Sequence, residues 1–193
     1  WVQLLFLGAF IVDIAIEHVN LHRRVALAIL LRVGVGRLWA VMLAFILISG
    51  GLSMWCSNTA TSIMLAPVAK GLLVASKTED AAAHQNLSVA IMLAIAYGST
   101  SGGVATIIGT LPNGVLAGMP IVNDSVTSSD WFFFALPLSL LMLLVSFFVI
   151  YLLYLRGVAI QLDGNLLHQW YADLGPISRD EYVVLGVQGL QIF

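Results

Sequence analysis

The chain has 193 residues, 60 % of them hydrophobic and 9 % charged, with a mean hydropathy of +0.99. An ordinary soluble domain carries about 25 % charged residues, so this composition argues against a soluble enzyme. A net charge of −2 argues against a nucleic-acid binder, which needs a basic patch. The single cysteine, Cys56, leaves no disulfide framework and no cysteine-based metal site. At roughly 20 residues per crossing of a ~30 Å hydrocarbon core, the length allows about five or six crossings. The expected fold class is therefore an all-α, multi-pass integral membrane protein.

The chain opens at Trp1 and is apolar from its first residues, which reads as a segment that begins inside a helix. Residues 1–17 read as the end of a membrane helix. In the stretch up to residue 37, Arg23, Arg24, Arg32 and Arg37 surround a short apolar middle, Val25 to Leu31, a pattern suited to a helix lying at the interface. Apolar arms at 38–54 and 63–75 flank the polar run Cys56-Ser-Asn-Thr-Ala-Thr-Ser62, and 76–86 is a polar loop. The apolar stretch 87–117 is predicted to break at Gly98-Ser-Thr-Ser-Gly-Gly103 and again around Gly109-Thr-Leu-Pro-Asn-Gly114. A loop at 118–130 follows, then one full-length span at 131–155 with Trp131 and Tyr154 as interfacial anchors. Residues 156–193 are amphipathic and then apolar again.

Basic residues mark cytoplasmic loops, and here they cluster at 18–37, at Lys70 and Lys77, and at Arg156, with none at 118–130. This distribution closes only if 38–75 enters and leaves from the same side, as a re-entrant hairpin with its tip near Ser57-Asn58-Thr59. Arms of about 17 and 13 residues are short for two crossings and agree with that reading.

Lipid cannot satisfy a bare peptide group, so non-helical backbone at membrane depth must be buried in protein or line a cavity. Interrupted hydrophobic segments are accordingly a pointer to a transporter binding site. If the first arm ends near Ser57, its last carbonyls, from Ser53 onward, lack intrahelical partners. With the Asn58 side-chain oxygen they suit a small hard cation such as Na⁺. A second arm starting at Thr59 or Ala60 would direct free N–H groups to the same spot and favour an anion, with Asn58 or Thr59 as N-cap. At the later break Pro112 suits a first helical turn, which leaves the Gly109 carbonyl and Thr110 hydroxyl to face a ligand.

Other readings fit the same residues. The Ser/Thr/Asn run serves equally well as a helix-packing stretch, and GSTSGG reads more readily as a close-packing surface than as a site. Asp13 and Glu17 are spaced for a proton relay, although their place beside the basic loop favours snorkelling. His18 and His22 share a predicted helical face but lack a zinc motif. A membrane-depth Ser–His dyad of protease type has little support, because the histidines lie in or next to polar stretches.

The residues Leu-Ser-Met-Trp-Cys-Ser-Asn-Thr-Ala-Thr-Ser-Ile-Met-Leu-Ala-Pro-Val (52–68) resemble the Ser-Asn-Thr hairpin signature of the divalent anion/sodium symporter family, the sodium-coupled dicarboxylate, citrate and sulfate transporters. Residues 94–118 resemble that family's broken fifth helix, Glu17 to Arg24 an upstream family segment, and Leu174-Gly-Pro-Ile-Ser178 a short element before the seventh helix. The resemblance implies the first inverted repeat of an elevator-type transporter, with a re-entrant helical hairpin, a broken transmembrane helix and a homodimeric scaffold. Residues 1–37 match the end of a scaffold helix and an interfacial arm.

It further implies a sodium ion at Ser53, Ser57, Asn58 and Gly109, and a small anionic substrate at Asn58, Thr59 and Thr110. Leu111 and Ser101 depart from the usual pattern, which puts the substrate preference in question. The family carries a second hairpin and a second sodium site in its other half. This chain holds one Ser-Asn-Thr and so reads as most of the first half. The implied function is sodium-coupled transport of di- or tricarboxylates, or of sulfate-like divalent anions, by the full-length parent, in the plasma membrane rather than an organelle. The alternative is a truncated, non-transporting membrane subunit that pairs with a full-length partner.

Overall fold

A computed structural model describes residues 2–34, 36–77, 80–119, 122, 126–158, 161–162 and 164–190. The described residues are helical apart from turns and one two-residue strand pairing. Helices α1 (Val2–His18) and α2 (Leu21–Val33) are separated at Asn20, whose φ of 54° is left-handed, a conformation that asparagine tolerates better than most residues. The break takes His18 and His22 off the common face predicted for them. Helix α3 (Leu38–Ser53) is followed by α4 (Asn58–Val74), α5 (Ala81–Gly103), α6 (Leu111–Ala117) and α7 (Ser128–Ile150). The last of these widens into a π-turn at Tyr151–Leu155 before α8 (Gly164–Asp173) and α9 (Arg179–Leu190). Strand β1 (Ser76–Lys77) pairs antiparallel with β2 (Gln161–Leu162), with Ser76 opposite Leu162.

Three predicted boundaries move. The second arm of the 38–75 pair starts at Asn58 rather than Ile63, because Ser57 caps it and draws the polar run into its first turns. The polar stretch 76–86 is helical from Ala81, where the Asp80 side chain accepts the N–H groups of Ala82 and Ala83. GSTSGG is not a break, since α5 continues through it to Gly103.

The reason for that continuity is packing. Helices α3 and α5 lie against each other along small residues, and a Cβ on Gly102 would strike the backbone of Gly50. One on Gly98 would strike Ser49 Oγ and lie 2.9 Å from the Ile46 carbonyl. Close backbone approach through glycine and serine is how helices associate where lipid removes the hydrophobic drive. The buried centre around this pair contains Leu30, Met42, Phe45, Leu65, Leu87 and Ile91. Trp170 of α8 covers Gly71 of α4 so closely that a Cβ there would lie 2.7 Å from the indole.

The outer surface is apolar. Helix α7 with its π-turn, Ser128–Leu155, is the one segment among the described residues long and apolar enough to cross a membrane unaided, and only 22 % of its most apolar stretch is buried. Phe133, Phe134 and Leu153 face outward, as residues in contact with acyl chains would. Trp131, expected as an interfacial anchor, instead donates its indole N–H to the Val104 carbonyl at 3.3 Å.

Charge is used sparingly inside. Arg24, one of the arginines expected at the basic ends of an interfacial helix, is buried. Its Nε donates to Glu181 Oε1 at 2.8 Å, and its other nitrogens donate to the carbonyls of Gly175 (2.8 Å) and Leu174 (3.0 Å). Glu181 also accepts the Ser178 N–H at 2.6 Å while Ser178 Oγ accepts the Glu181 N–H, a capping box at the start of α9. Through this pair α2 is clamped to the turn before α9.

Two outcomes follow from the packing. Gly102→Val should destabilise the protein by about 3 kcal/mol through overpacking of α3 against α5, read as a lower melting temperature in detergent. Glu181 is held below its ordinary value of 4.5, chiefly by the Arg24 hydrogen bond, which outweighs desolvation. A depressed carboxylate stabilises the fold above its unfolded pKa and loses that contribution as pH falls through the folded value. Thermal stability should therefore drop as pH is lowered below 4.5, and Arg24→Gln should lower stability at neutral pH while flattening this acid dependence.

Candidate functional site

Both helix interruptions come to one place. Helix α3 stops at Ser53 and α4 starts at Asn58, with Ser57 Oγ accepting the Ala60 N–H at 3.3 Å. Helix α5 stops at Gly103 and α6 starts at Leu111, after the non-helical stretch 104–110. Each stop leaves carbonyls without intrahelical partners, and buried backbone polar groups must find others. Asn113 supplies them at the second break, its Nδ2 donating to the carbonyls of Thr106 (2.9 Å), Val104 (3.2 Å) and Gly103 (3.3 Å). Thr106 joins the two interruptions, because its hydroxyl donates to the Met54 carbonyl at 2.5 Å and accepts the Gly109 N–H at 3.0 Å.

Asn58 sits where the helix ends converge. With its Oδ1 turned inward it accepts the Ser53 hydroxyl at 2.5 Å. With the amide reversed, Nδ2 donates to Ser53 Oγ (2.5 Å), the Ser99 carbonyl (3.1 Å) and the Gly109 carbonyl (3.2 Å), and the network favours this second assignment. Either way one end of the amide faces three oxygens; Nδ2 satisfies them itself, whereas the orientation with Oδ1 inward adds a further oxygen that a cation could use. The carbonyl ends of α3 and α5 lie beside them, since a Cβ on Gly109 would be 2.5 Å from the Gly103 oxygen and 2.8 Å from the Ser53 oxygen. Neutral oxygens from helix C-termini and unwound backbone are the donor set that coordinates Na⁺ at membrane depth. The residues present fit such an ion. Glycine is required at 103 and 109 because a side chain would fill this cluster.

A cavity of about 160 Å³ opens beside the cluster, lined by Ser57, Asn58, Thr59, Gly109 and Thr110 among others. Ser53, the remaining expected site residue, is fully buried and reaches the cavity through Asn58. Among the described residues the cavity wall contains neither lysine nor arginine. The positive potential available to an anion comes from the N-terminus of α4, whose first N–H groups are unpaired within the helix. Thr110 precedes α6 without capping it through its side chain, so its hydroxyl is available to the cavity. The N-cap of α4 is Ser57, not Asn58 or Thr59, which leaves those two side chains to the cavity as well.

Three residues escaped the sequence reading. Asn113 and Thr106 hold the broken segment, and their signal was the need to satisfy freed carbonyls next to Pro112. Asp13, expected to snorkel, is buried at 6 % exposure, lines the cavity, and accepts the Ser57 N–H through Oδ2 at 3.2 Å, whereas Glu17 is exposed. Its signal was a carboxylate within the apolar part of a helix, one turn before Glu17.

The chain matches the sodium:sulfate symporter transmembrane region over residues 1–193. It is 31 % identical to the Na⁺/citrate cotransporter of Rattus norvegicus, over 98 % of this chain and 43 % of that protein. It is 33 % identical to the sodium-dependent dicarboxylate transporter SdcS of Staphylococcus aureus, over 93 % of this chain and 36 % of that one. Human solute carrier family 13 member 2 is 34 % identical over 70 % of this chain and 31 % of the human protein. The chain thus spans less than half the length of these relatives. It belongs to the sodium:sulfate symporter family, whose members are membrane transporters and not enzymes.

Proposed function

We propose that the complete transporter containing this chain carries a di- or tricarboxylate anion, or a sulfate-like divalent anion, across the plasma membrane together with Na⁺. The observation that carries this reading is the oxygen cluster at Asn58, set against the same cavity as the N-terminus of α4 in a wall without basic residues. Ser53, Ser57, Asn58 and Gly109 would hold Na⁺, and Asn58, Thr59 and Thr110 would meet the anion. Helix C-termini favour the cation and helix N-termini the anion, so the ion supplies positive charge that the wall lacks. The names of the rat and staphylococcal relatives, a citrate and a dicarboxylate transporter driven by sodium, support carboxylate over sulfate as the preferred cargo.

In this reading α3 and α4 form a re-entrant hairpin and α5 with α6 a broken membrane helix. Both belong to a transport domain that moves as an elevator against a homodimeric scaffold, to which α1 belongs and which α2 joins to the moving part as an arm. The short arms, the multi-pass topology required by the charge distribution, and the cross-bracing of the two breaks through Thr106 support it.

Purified complete transporter in proteoliposomes should take up succinate or citrate only with an inward Na⁺ gradient, and flux independent of Na⁺ would overturn the coupling. Asn58→Ala should cut flux by about 10–100-fold, the usual cost of disturbing a metal site, at normal membrane expression. Unchanged kinetics would refute its role. Thr110→Val should raise the half-saturating anion concentration by about tenfold or more, because a buried hydrogen bond to the cargo is lost, with the Na⁺ dependence preserved.

A further inference from the structure

Among the described residues Asp13 is the one ionisable side chain in the cavity wall, and its two oxygens are in different situations. Oδ2 accepts the Ser57 N–H at 3.2 Å. Oδ1 is buried and has no hydrogen-bond partner among the described residues. The nearby Cys56 thiol also faces this carboxylate, but a thiol is a weak donor. A buried carboxylate with half its acceptor capacity unmet is costly unless a positive charge compensates it. Among the described residues no lysine, arginine or histidine lines the cavity. The compensation present among the described residues is the N-terminal dipole of α4, which Asp13 approaches through Ser57, and the neutral oxygen cluster next to it carries no charge of its own.

We propose that Asp13 is the fixed negative charge of the cation site: from α1 it anchors the α3–α4 tip through Ser57, and its free Oδ1 raises the affinity of the Asn58 cluster for Na⁺. The inference rests on the sodium reading given above and adds to it a residue from a different helix. It also predicts an order of events, because a carboxylate in the wall repels an anionic cargo until a cation has bound. At about 4 Å and an effective dielectric near 20 the attraction between such charges is several-fold larger than in water, enough to shape affinity.

A structural alternative is that Asp13 only caps α4 from outside. Asp13→Asn separates the two roles, since the amide oxygen can still accept the Ser57 N–H while the charge is gone. The test measures the Na⁺ concentration that gives half-maximal thermal stabilisation of the purified complete transporter, without substrate, for the parent, Asp13→Asn, Asp13→Glu and Asn58→Ala. Choline at equal ionic strength is the control. The expected result is a rise of about tenfold or more in that concentration for Asp13→Asn, with melting in choline no lower than the parent's, and partial recovery in Asp13→Glu. A parent-like Na⁺ response in Asp13→Asn would overturn the proposal, as would a drop in choline stability with no change in Na⁺ response, the signature of a cap alone. If Asn58→Ala loses the response while Asp13→Asn keeps it, the sodium site stands and the role of Asp13 fails. If the parent shows no response to Na⁺, the sodium reading itself fails.

Discussion

The structure depends on satisfying backbone groups that two interrupted helices leave exposed in an apolar setting. Where such groups are buried away from water, each orphaned carbonyl costs free energy. The chain meets this constraint by placing the two interruptions against each other. Asn113 gathers the carbonyls at the end of α5, Thr106 reaches the Met54 carbonyl at the end of α3, and Asn58 bridges from α4 to Ser99 and Gly109. What these contacts leave at one point is a cluster of oxygens, and that remainder is the basis of the proposed cation site.

This arrangement explains how a chain so poor in charge can belong to a family of anion transporters. Lysine or arginine in the wall would bind an anion strongly in a low dielectric and release it slowly. Partial charges at helix ends are weaker and vary with the position of the helices, and in the proposed function a cation that enters and leaves with the cargo supplies the remainder. The glycines follow from the same geometry. Gly98 and Gly102 let α5 approach α3, while Gly103 and Gly109 keep side chains out of the oxygen cluster.

The buried charges that do exist sit at joints between helices. Asp13 joins α1 to the tip of the α3–α4 pair, and Arg24 with Glu181 joins α2 to the turn before α9. The Asp13 contact crosses the proposed boundary between scaffold and moving domain, and the Arg24–Glu181 pair ties the proposed arm to α9. Such contacts are directional and depend on geometry more than apolar packing does, so they hold one relative position of the elements better than others. The serine and threonine hydroxyls, by contrast, mostly satisfy carbonyls within or beside their own helices, as Ser49 does with Phe45 and Thr100 with Ala96.

By itself the sequence determined that the chain belongs in a membrane, that its long apolar segments are interrupted, and which residues carry the Ser-Asn-Thr and Gly-Thr-Leu-Pro-Asn signatures. Composition and local motif suffice for these, because transfer into lipid and the preferences of proline, glycine and cap residues act over a few positions. Only the tertiary structure decided where α5 stops, which glycines pack and which enclose the site, and that Asp13 faces the cavity while Glu17, one turn later, faces outward. Those outcomes depend on which neighbour covers a residue, and neither spacing nor hydropathy contains that neighbour. The same holds for Arg24: in the sequence it is one of four similar arginines, and its burial is set by Glu181 and carbonyls some 150 residues away along the chain.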